Sequence, residues 1–253
     1  MGNELVLSIL FFFVALLYSS VGLGGGSSYT ALMTIFDVDY ELIPTTSLLL
    51  NMVVTSVSVL NFRRGGHINL KLIVPFLVTS IPMSYVGGTV PLPKNTFLWL
   101  LLVTLVFVAA RIYLWNGLSL RMHLDSMRSL VLSLILGALL GFIAGAVGIG
   151  GGIYLVPLII LLGLAGEKEA AAAGAVFIFL NSLSGFISRI QRGAFDTEIL
   201  LPLMAAVLVG GYVGSHFGSH RFSPRTVQKT LGVVIIIAIG YLLKNLLFTG
   251  GSA

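Results

Sequence analysis

Long apolar runs, separated by short polar segments, occupy almost the whole chain. A run of about 18 or more apolar residues can cross a bilayer as an α-helix, because a helix satisfies its own backbone hydrogen bonds. The pattern predicts eight such units: Glu4–Phe36, Pro44–Phe62, Leu70–Val90, Thr96–Trp115, Arg128–Gly163, Glu169–Arg189, Ile199–Phe217 and Arg225–Leu247. The first and fifth units are too long for single straight crossings, and each contains a glycine cluster. We therefore expect an all-α polytopic membrane protein with about eight transmembrane helices, of which the first and fifth are broken.

The composition excludes most other classes of protein. Of the 253 residues, 57% are apolar and 9% are charged, whereas soluble domains carry about 25% charged residues. Such a chain cannot cover a water-facing surface, and it does not fit a disordered chain, a coiled coil or a nucleic-acid-binding protein. The chain has no cysteine, which excludes disulfides and zinc thiolate sites.

The chain repeats itself at an offset of 126 residues. The matching pairs are Val21–Gly26 with Val147–Gly152, Ser56 with Ser182, Ser58 with Ser184, and Arg63 with Arg189. This repeat predicts an N-terminal four-helix unit at residues 1–116, a cytoplasmic linker at 117–127 and a C-terminal four-helix unit at 128–253. An even number of spans in each half makes the halves parallel, whereas an odd number would invert one of them. Duplicated halves are typical of transporters, whose sites lie near the membrane midplane on broken helices.

The two glycine clusters predict an anion-binding site. Three consecutive glycines cost a helix interior about 3 kcal/mol relative to alanine, so we expect each helix to break there. A helix that restarts after the break offers free N–H groups and the positive end of its dipole, and glycine lets a ligand approach the backbone. The residues expected to bind are Gly22, Gly24, Gly25, Gly26, Ser27, Gly148, Gly150, Gly151 and Gly152. Close packing of helices on small residues is the alternative, and it is our interpretation of Gly137, Gly141 and Gly145.

Polar side chains within the predicted spans extend this site. Hydroxyl and amide donors suit an anion where no counter-charge is near, and they are offered by Asn51, Ser56, Asn181 and Ser182. Hydrogen bonds within or between helices are the alternative interpretation. Four arginines follow the second predicted span of each half, namely Arg63, Arg64, Arg189 and Arg192. We expect them to anchor the cytoplasmic side, to form an electropositive cytoplasmic vestibule, or both.

Charged residues also indicate orientation and energetics. Assigning Lys and Arg to alternate sides places nine on one side and five on the other, which predicts that both termini are cytoplasmic. The N-terminus is expected to be the first span and not a removed signal peptide. All nine acidic residues lie at span ends or in loops, so coupling through a buried carboxylate is not expected. An anion leaving an inside-negative cell gains about 2.3 kcal/mol per charge per 100 mV without a coupling ion.

These motifs give the chain a resemblance to the sulfite exporter TauE/SafE family of small permeases. The resemblance covers nearly the whole chain and rests on Val21–Gly26, Val147–Gly152, Thr55-Ser56, Asn181–Ser184, Arg64-Gly65, Arg192-Gly193, Tyr85–Gly88 and Tyr212–Gly214. It implies a multi-pass permease of the bacterial inner membrane for small sulfur-containing anions such as sulfite, thiosulfate or sulfoacetate. The second half has Ala173–Ala175 where the first has Ser47–Leu49, so the polar lining differs between the halves.

Three other functions are alternatives. An anion channel without alternating access fits the same sequence. A membrane assembly subunit would gain nothing from broken helices. An intramembrane hydrolase would use Ser182 or Ser184 with His216, but it would need these groups within hydrogen-bond reach and would have no use for a repeat. We therefore expect no enzymatic activity, no catalytic residue, no metal and no cofactor. The expected partners are a small anionic substrate and the lipid bilayer, with no nucleic acid; a homodimer is a further option.

Overall fold

The protein is built from α-helices throughout the part that the structure describes. The computed structural model describes residues 2–20, 23–114, 126–193, 197–218 and 224–249. The helices are α1 Gly2–Ser20, α2 Gly26–Ile35, α3 Leu42–Arg64, α4 Leu70–Thr89, α5 Lys94–Leu114, α6 Ser126–Val147, α7 Gly152–Leu161, α8 Glu167–Ile190, α9 Thr197–Gly218 and α10 Pro224–Lys244, followed by a π-helical turn at Asn245–Thr249. These ranges contain no strand. The predicted linker at 117–127 lies almost wholly outside them.

Six of the described helices are long and apolar enough to cross a membrane. They are Leu42–Arg64, Leu70–Thr89, Lys94–Leu114, Met127–Val147, Glu167–Ile190 and Lys229–Leu247. Three shorter apolar helices, at Leu5–Ser19, Gly152–Leu161 and Leu200–Gly214, accompany them. The chain is therefore a multi-pass membrane protein, and the expected count of about eight spans stays a prediction.

Each of the two longest apolar units contains two helices that double back on each other. The ring of Tyr29 in α2 lies 4.8 Å from the ring of Phe11 in α1, measured between centroids. In the second half, Gly151 lies beside Leu140 and Ala144, back along α6. Helices α2 and α7 have ten residues each and are about 15 Å long, too short to span a bilayer alone. Each half thus has five helices, where the apolar pattern predicted four.

The tightest helix contacts are made on glycines. A β-carbon added to Gly141 or Gly145 of α6 would collide with the carbonyl oxygens of Ser80 and Ser84 in α4. The same relation holds between Gly210 of α9 and Phe12 of α1. Small residues let helix backbones approach closely in a membrane, where apolar burial between helices gains little. Because residue numbers rise together along α4 and α6, these two helices run parallel.

The two halves run in opposite directions through the bundle. Nη1 of Arg192, just after α8, donates to the carbonyl oxygens of Gly88 and Val90 at the end of α4, at 3.1 and 3.2 Å. The ends of α8 and α4 therefore share one end of the bundle, which we call the Thr89 end. Helix α3 ends at the opposite end, which we call the Arg64 end. The expectation of parallel halves is corrected, because five helices in each half is an odd number.

Helices α3 and α8 form the centre of the bundle. In their most apolar windows 61% of residues are buried, against 28% to 44% in the other four membrane-length helices. They cross in opposite directions, since Leu48 near the start of α3 contacts Gly185 near the end of α8. Polar side chains on these two helices are consequently held away from lipid.

Candidate functional site

The two glycine segments, residues 23–25 and 148–151, meet between the centres of α3 and α8. A β-carbon added to Gly24 would lie 2.9 Å from Oδ1 of Asn51 and 3.1 Å from the side chain of Ile178. One added to Gly150 would lie 2.8 Å from the same Ile178 and 3.3 Å from Oγ of Ser182. Both breaks therefore face the same pair of helix centres, halfway through the bundle.

Gly26, the first residue of α2, contacts the second segment directly. A β-carbon on Gly26 would collide with Nδ2 of Asn51 and lie 2.6 Å from the carbonyl oxygen of Ile149. One on Gly152 would collide with Ile178. Side chains at these positions would fill the space between the halves, which is the physical reason for glycine here.

The second segment needs glycine for its backbone conformation as well. Gly148, Gly150 and Gly151 have φ angles of +84°, +78° and +74°, in the left-handed region that other residues rarely adopt. Gly151 then caps α7, whose first residue is Gly152. The segment is held to α3 by Ser47, whose Oγ donates to the carbonyl oxygen of Gly148 at 2.7 Å.

Several buried polar atoms in α2, α3 and α8 lack a hydrogen-bond partner among the described residues. They are Tyr29 Oη, Thr45 Oγ1, Asn51 Oδ1, Asn181 Oδ1 and Ser182 Oγ. Leaving such an atom unpaired in a buried place costs about 1–3 kcal/mol. Three of them border the glycines directly, because Asn51 faces Gly24, Ser182 faces Gly150 and Tyr29 faces Gly25. Polar atoms of this kind are suited to a polar ligand or to ordered water.

Asn181 lies on the side of α8 that faces α4. Its Nδ2 donates to Oγ of Ser80 at 3.0 Å and to the carbonyl oxygen of Phe177 at 2.8 Å. Oγ of Ser84 donates to the carbonyl oxygen of Asn181 at 2.7 Å. The sequence interpretation missed Ser80 and Ser84, although their spacing of four residues puts them on one face of α4.

The remaining predicted residues are placed differently. Ser56 is only partly buried, and its Oγ donates to the carbonyl oxygen of Val53 in its own helix at 2.7 Å, so it is not brought to the glycine segments. Ser27 is buried in the first turn of α2, with its Oγ 3.4 Å from the hydroxyl of Tyr18. Gly22 lies outside the described residues.

The surroundings of the glycine segments are neutral. Among the described residues Arg189 is the one charged side chain that is buried, with 5% of its surface exposed. Within the same part of the chain, no group of three or more His, Asp or Glu side chains could hold a metal ion. The electrostatics at the helix centres are therefore set by hydroxyls, amides and backbone dipoles.

A cavity of about 120 Å³ opens at the Thr89 end. Its lining includes Tyr40, Glu41, Pro44, Arg189 and Arg192. Pro44 lies between this cavity and the glycine segments, because a β-carbon on Gly148 would lie 2.5 Å from the Cα of Pro44. The hydroxyl of Tyr40 donates to Oε1 of Glu41 at 3.1 Å, and this bond raises the pKa of Tyr40 above its ordinary value.

Arg189 joins the cavity to the end of α6. Its Nε and Nη2 donate to the carbonyl oxygens of Gly145 and Ala146, at 3.1 and 2.7 Å. These carbonyls belong to the last turn of α6, where a cation also meets the negative end of the helix dipole. The arginine thereby holds the helix end that leads into Gly148.

The four arginines do not form one vestibule. Arg63 and Arg64 are exposed in the last turn of α3, at the Arg64 end, whereas Arg189 and Arg192 line the cavity at the Thr89 end. The expected common vestibule is corrected, because the halves are antiparallel and equivalent positions emerge at opposite ends.

Comparisons with known proteins place the chain among membrane transporters. The family model described as "Sulfite exporter TauE/SafE" matches residues 7–242. A "probable membrane transporter protein" of Sinorhizobium fredii is 31% identical over 235 residues, covering 92% of this chain and 95% of the relative. Proteins with the same description from Methanocaldococcus jannaschii and Bacillus subtilis are 28% and 23% identical, covering 72% and 89% of this chain and 71% and 94% of the relatives. No solved structure matches the chain.

Proposed function

Because the chain belongs to the sulfite exporter TauE/SafE family, we propose that it is a non-enzymatic permease for small sulfur-containing anions. The transported anion, for example sulfite, thiosulfate or sulfoacetate, binds between the glycine segments of the two halves. Its ligands are the backbone of Gly24–Gly26 and Gly148–Gly152 together with Tyr29, Asn51 and Ser182.

One observation carries this assignment: buried polar atoms without a partner border both glycine segments at the centre of the bundle. A membrane protein tolerates non-helical backbone at this depth where it lines a ligand cavity or is buried in protein. Structural packing alone would account for the glycines. It gives no reason for Asn51 Oδ1 and Ser182 Oγ to be buried without partners.

A carrier is favoured over an open channel. Asn51 and Ser182 are fully buried, and so are Gly24, Gly25 and Gly26. The central site is therefore closed to both ends of the bundle, which is the occluded arrangement that alternating access requires. The cavity at the Thr89 end reaches Pro44, one layer away from Gly148, and we assign it as the vestibule through which the anion enters or leaves.

The antiparallel halves change the expected orientation. Basic side chains among the described residues are more numerous at the Arg64 end (Arg63, Arg64, Lys71, Arg111, Arg128, Lys168 and Lys229) than at the Thr89 end (Lys94, Arg189, Arg192 and Lys244). By the positive-inside rule the Arg64 end is cytoplasmic. Helix α1 runs parallel to α9, since Gly210 faces Phe12 and Gly214 faces Leu16, and Tyr241 near the end of α10 donates to Asp37 in the loop before α3. Helix α1 therefore begins and α10 ends at the Thr89 end, and we assign both termini to the outer side of the bacterial inner membrane, opposite to the sequence expectation. The Arg189 vestibule then faces outward, where an exported anion would leave.

Flux in proteoliposomes tests the proposal. Vesicles are loaded in turn with sulfite, thiosulfate, sulfate and a small sulfonate, under a potassium–valinomycin potential of either sign. We expect at least one sulfur anion to move and to follow the potential. Gly150→Ala should reduce this flux at least tenfold, because the added β-carbon would crowd Ile178 and the φ of +78° disfavours alanine.

Gly240→Ala is the matched control, since a β-carbon there meets no atom within 4 Å. Equal flux in the two variants would show that the glycine segments do not form the anion site. Inserted wild-type protein that moves none of the four anions would overturn the function itself.

A further inference from the structure

The hydrogen-bonding groups of the central site specify more than its location. We propose that the transported species is a monoanion that carries its own hydrogen-bond donor, such as hydrogen sulfite or a hydroxylated sulfonate, and not a dianion. This inference rests on the proposed function and names the charge state and the proton count of its substrate. It narrows the candidates to hydrogen sulfite or a hydroxylated sulfonate, because thiosulfate and sulfoacetate are dianions at neutral pH.

The first argument is the lack of counter-charge. The titratable groups that the packed helices place near the site are Tyr18 of α1, Tyr29 of α2 and Tyr154 of α7, with Arg189 of α8 at the outer end of the bundle. Helices α3, α4 and α6 contribute no buried titratable side chain among the described residues, and Tyr212 of α9 is exposed. The half-buried Arg111 of α5 acts electrostatically on Tyr18, but it lies towards the Arg64 end and is not among the atoms that face the glycines. The desolvation cost of an ion rises with the square of its charge, so a dianion would cost about four times as much as a monoanion in this neutral setting.

The second argument is the kind of polar atom left without a partner. Nδ2 of Asn51 donates to the carbonyl oxygen of Gly148 at 3.4 Å, which fixes the amide so that Oδ1 points towards Gly24. Oδ1 can only accept a hydrogen bond. An anion built only of acceptor oxygens cannot satisfy it, whereas a ligand O–H can. The hydroxyls of Tyr29 and Ser182 remain as donors to the ligand's anionic oxygens.

A consequence for energetics follows. The proton travels on the substrate, so the protein needs no buried carboxylate to move it. Each hydrogen sulfite that crosses and then meets a more alkaline side releases its proton there. Transport would therefore acidify the receiving compartment by up to one proton per sulfur anion.

The test compares four probes in proteoliposomes between pH 6 and pH 9. Sulfite changes its charge near neutral pH, sulfate is a dianion throughout, and 2-hydroxyethanesulfonate and ethanesulfonate are monoanions throughout, with and without a hydroxyl donor. Protein-free vesicles correct for diffusion of neutral sulfur dioxide. We expect sulfite flux to fall about tenfold per pH unit above the pKa of hydrogen sulfite, while 2-hydroxyethanesulfonate flux stays level and exceeds that of ethanesulfonate at least tenfold.

The charge of 2-hydroxyethanesulfonate does not change between pH 6 and pH 9. Its constant flux therefore separates titration of the substrate from titration of the protein. Sulfite flux that holds or rises with pH, or sulfate flux equal to that of sulfite, would overturn the monoanion inference while leaving the permease intact. If none of the four probes is transported, the proposed function itself would be wrong.

A variant of Asn51 gives a second readout. Asn51→Leu removes the acceptor while Ser47 keeps its bond to Gly148. We expect the ratio of 2-hydroxyethanesulfonate to ethanesulfonate flux to fall to about one, measured at whatever total flux the variant retains, because the loss of Asn51 Nδ2 from Gly148 affects both probes alike. An unchanged ratio would show that Asn51 does not receive the ligand's donor and would overturn the inference.

Discussion

Equivalent side chains in the two halves make different hydrogen bonds. Ser56 and Ser182 are equivalent at the 126-residue offset. The first returns its hydroxyl to its own helix, and the second is buried without a partner beside Gly150. Composition and spacing identified both as candidates, but they do not give the rotation of a helix about its axis. That rotation is set by packing, and packing brings Asn51 and Ser182 to the glycine segments while turning Ser56 away.

A pair of serines on α8 separates a binding role from a structural one. Ser182→Ala removes a hydroxyl that has no partner in the described residues, so we expect folding stability to stay within about 0.5 kcal/mol of wild type while anion flux falls at least tenfold. Ser184→Ala removes the bond from Oγ to the carbonyl oxygen of Ile81, and should cost about 1 kcal/mol of stability with flux largely retained. Thermal unfolding in detergent and proteoliposome flux measure both effects. The reverse pattern would assign Ser182 to the scaffold.

Helices were predicted at nearly their observed positions, but the turning back within the first and fifth units was not. An apolar run has the same composition whichever way its segments point, so the direction of α2 and α7 cannot be read from hydropathy. Their excess length and their glycine clusters were the available signals. The breaks themselves follow from glycine chemistry, because Gly148, Gly150 and Gly151 adopt backbone angles that end α6 before α7 begins.

The end of α6 depends on Arg189. Arg189→Gln removes the charged donor to the carbonyl oxygens of Gly145 and Ala146, and we expect a loss of about 1.5–3 kcal/mol in stability. The half-saturating anion concentration should also rise, since the vestibule loses a buried cation. Arg64→Gln, at the exposed equivalent end of α3, is the control and should change stability by less than about 0.5 kcal/mol. Equal melting temperatures for the two variants would contradict this role for Arg189.

The contact between α4 and α6 depends on small residues. Gly145→Leu would drive a side chain into the carbonyl oxygen of Ser84, and overpacking of this kind costs about 1–3 kcal/mol or more. We expect a lower yield of monodisperse protein in size-exclusion chromatography. Gly240→Leu places its β-carbon where no atom lies within 4 Å and should elute as wild type. If both variants behave alike, the α4–α6 interface is more plastic than its geometry indicates.

At the scale of the whole molecule, the decisive quantity is the number of crossings in each half. The motifs predict a repeat at an offset of 126 residues, and α2 at 26–35 and α7 at 152–161 differ by 126 residues at both ends. Whether each half has an odd or an even number of helices could not be predicted from the sequence. Each glycine-broken unit is one apolar run in the sequence but forms two helices in the structure. One miscounted unit per half reverses the relation between the halves and exchanges the ends to which Arg63 and Arg189 belong.

The absence of cysteine from the chain allows a direct test of this arrangement. Single cysteines introduced as Arg64→Cys and Gln191→Cys lie at exposed positions at opposite ends of the bundle. In intact cells an impermeant maleimide should label Gln191→Cys, whereas Arg64→Cys should react only after permeabilisation. Lys71→Cys, at the start of α4, should behave like Arg64→Cys. Labelling of all three from one face would refute the antiparallel halves.

The different surroundings of Arg63 and Arg189 bear on how the transporter rests between cycles. Two antiparallel halves of identical sequence would make the inward- and outward-facing states equal in energy by symmetry. Here one member of the equivalent pair is exposed and the other is buried against the end of α6. In the carrier that we propose, this asymmetry would bias the resting population towards one access state. Substrate affinity should accordingly differ between the two membrane faces, while the final concentration ratio remains fixed by the electrochemical gradient alone.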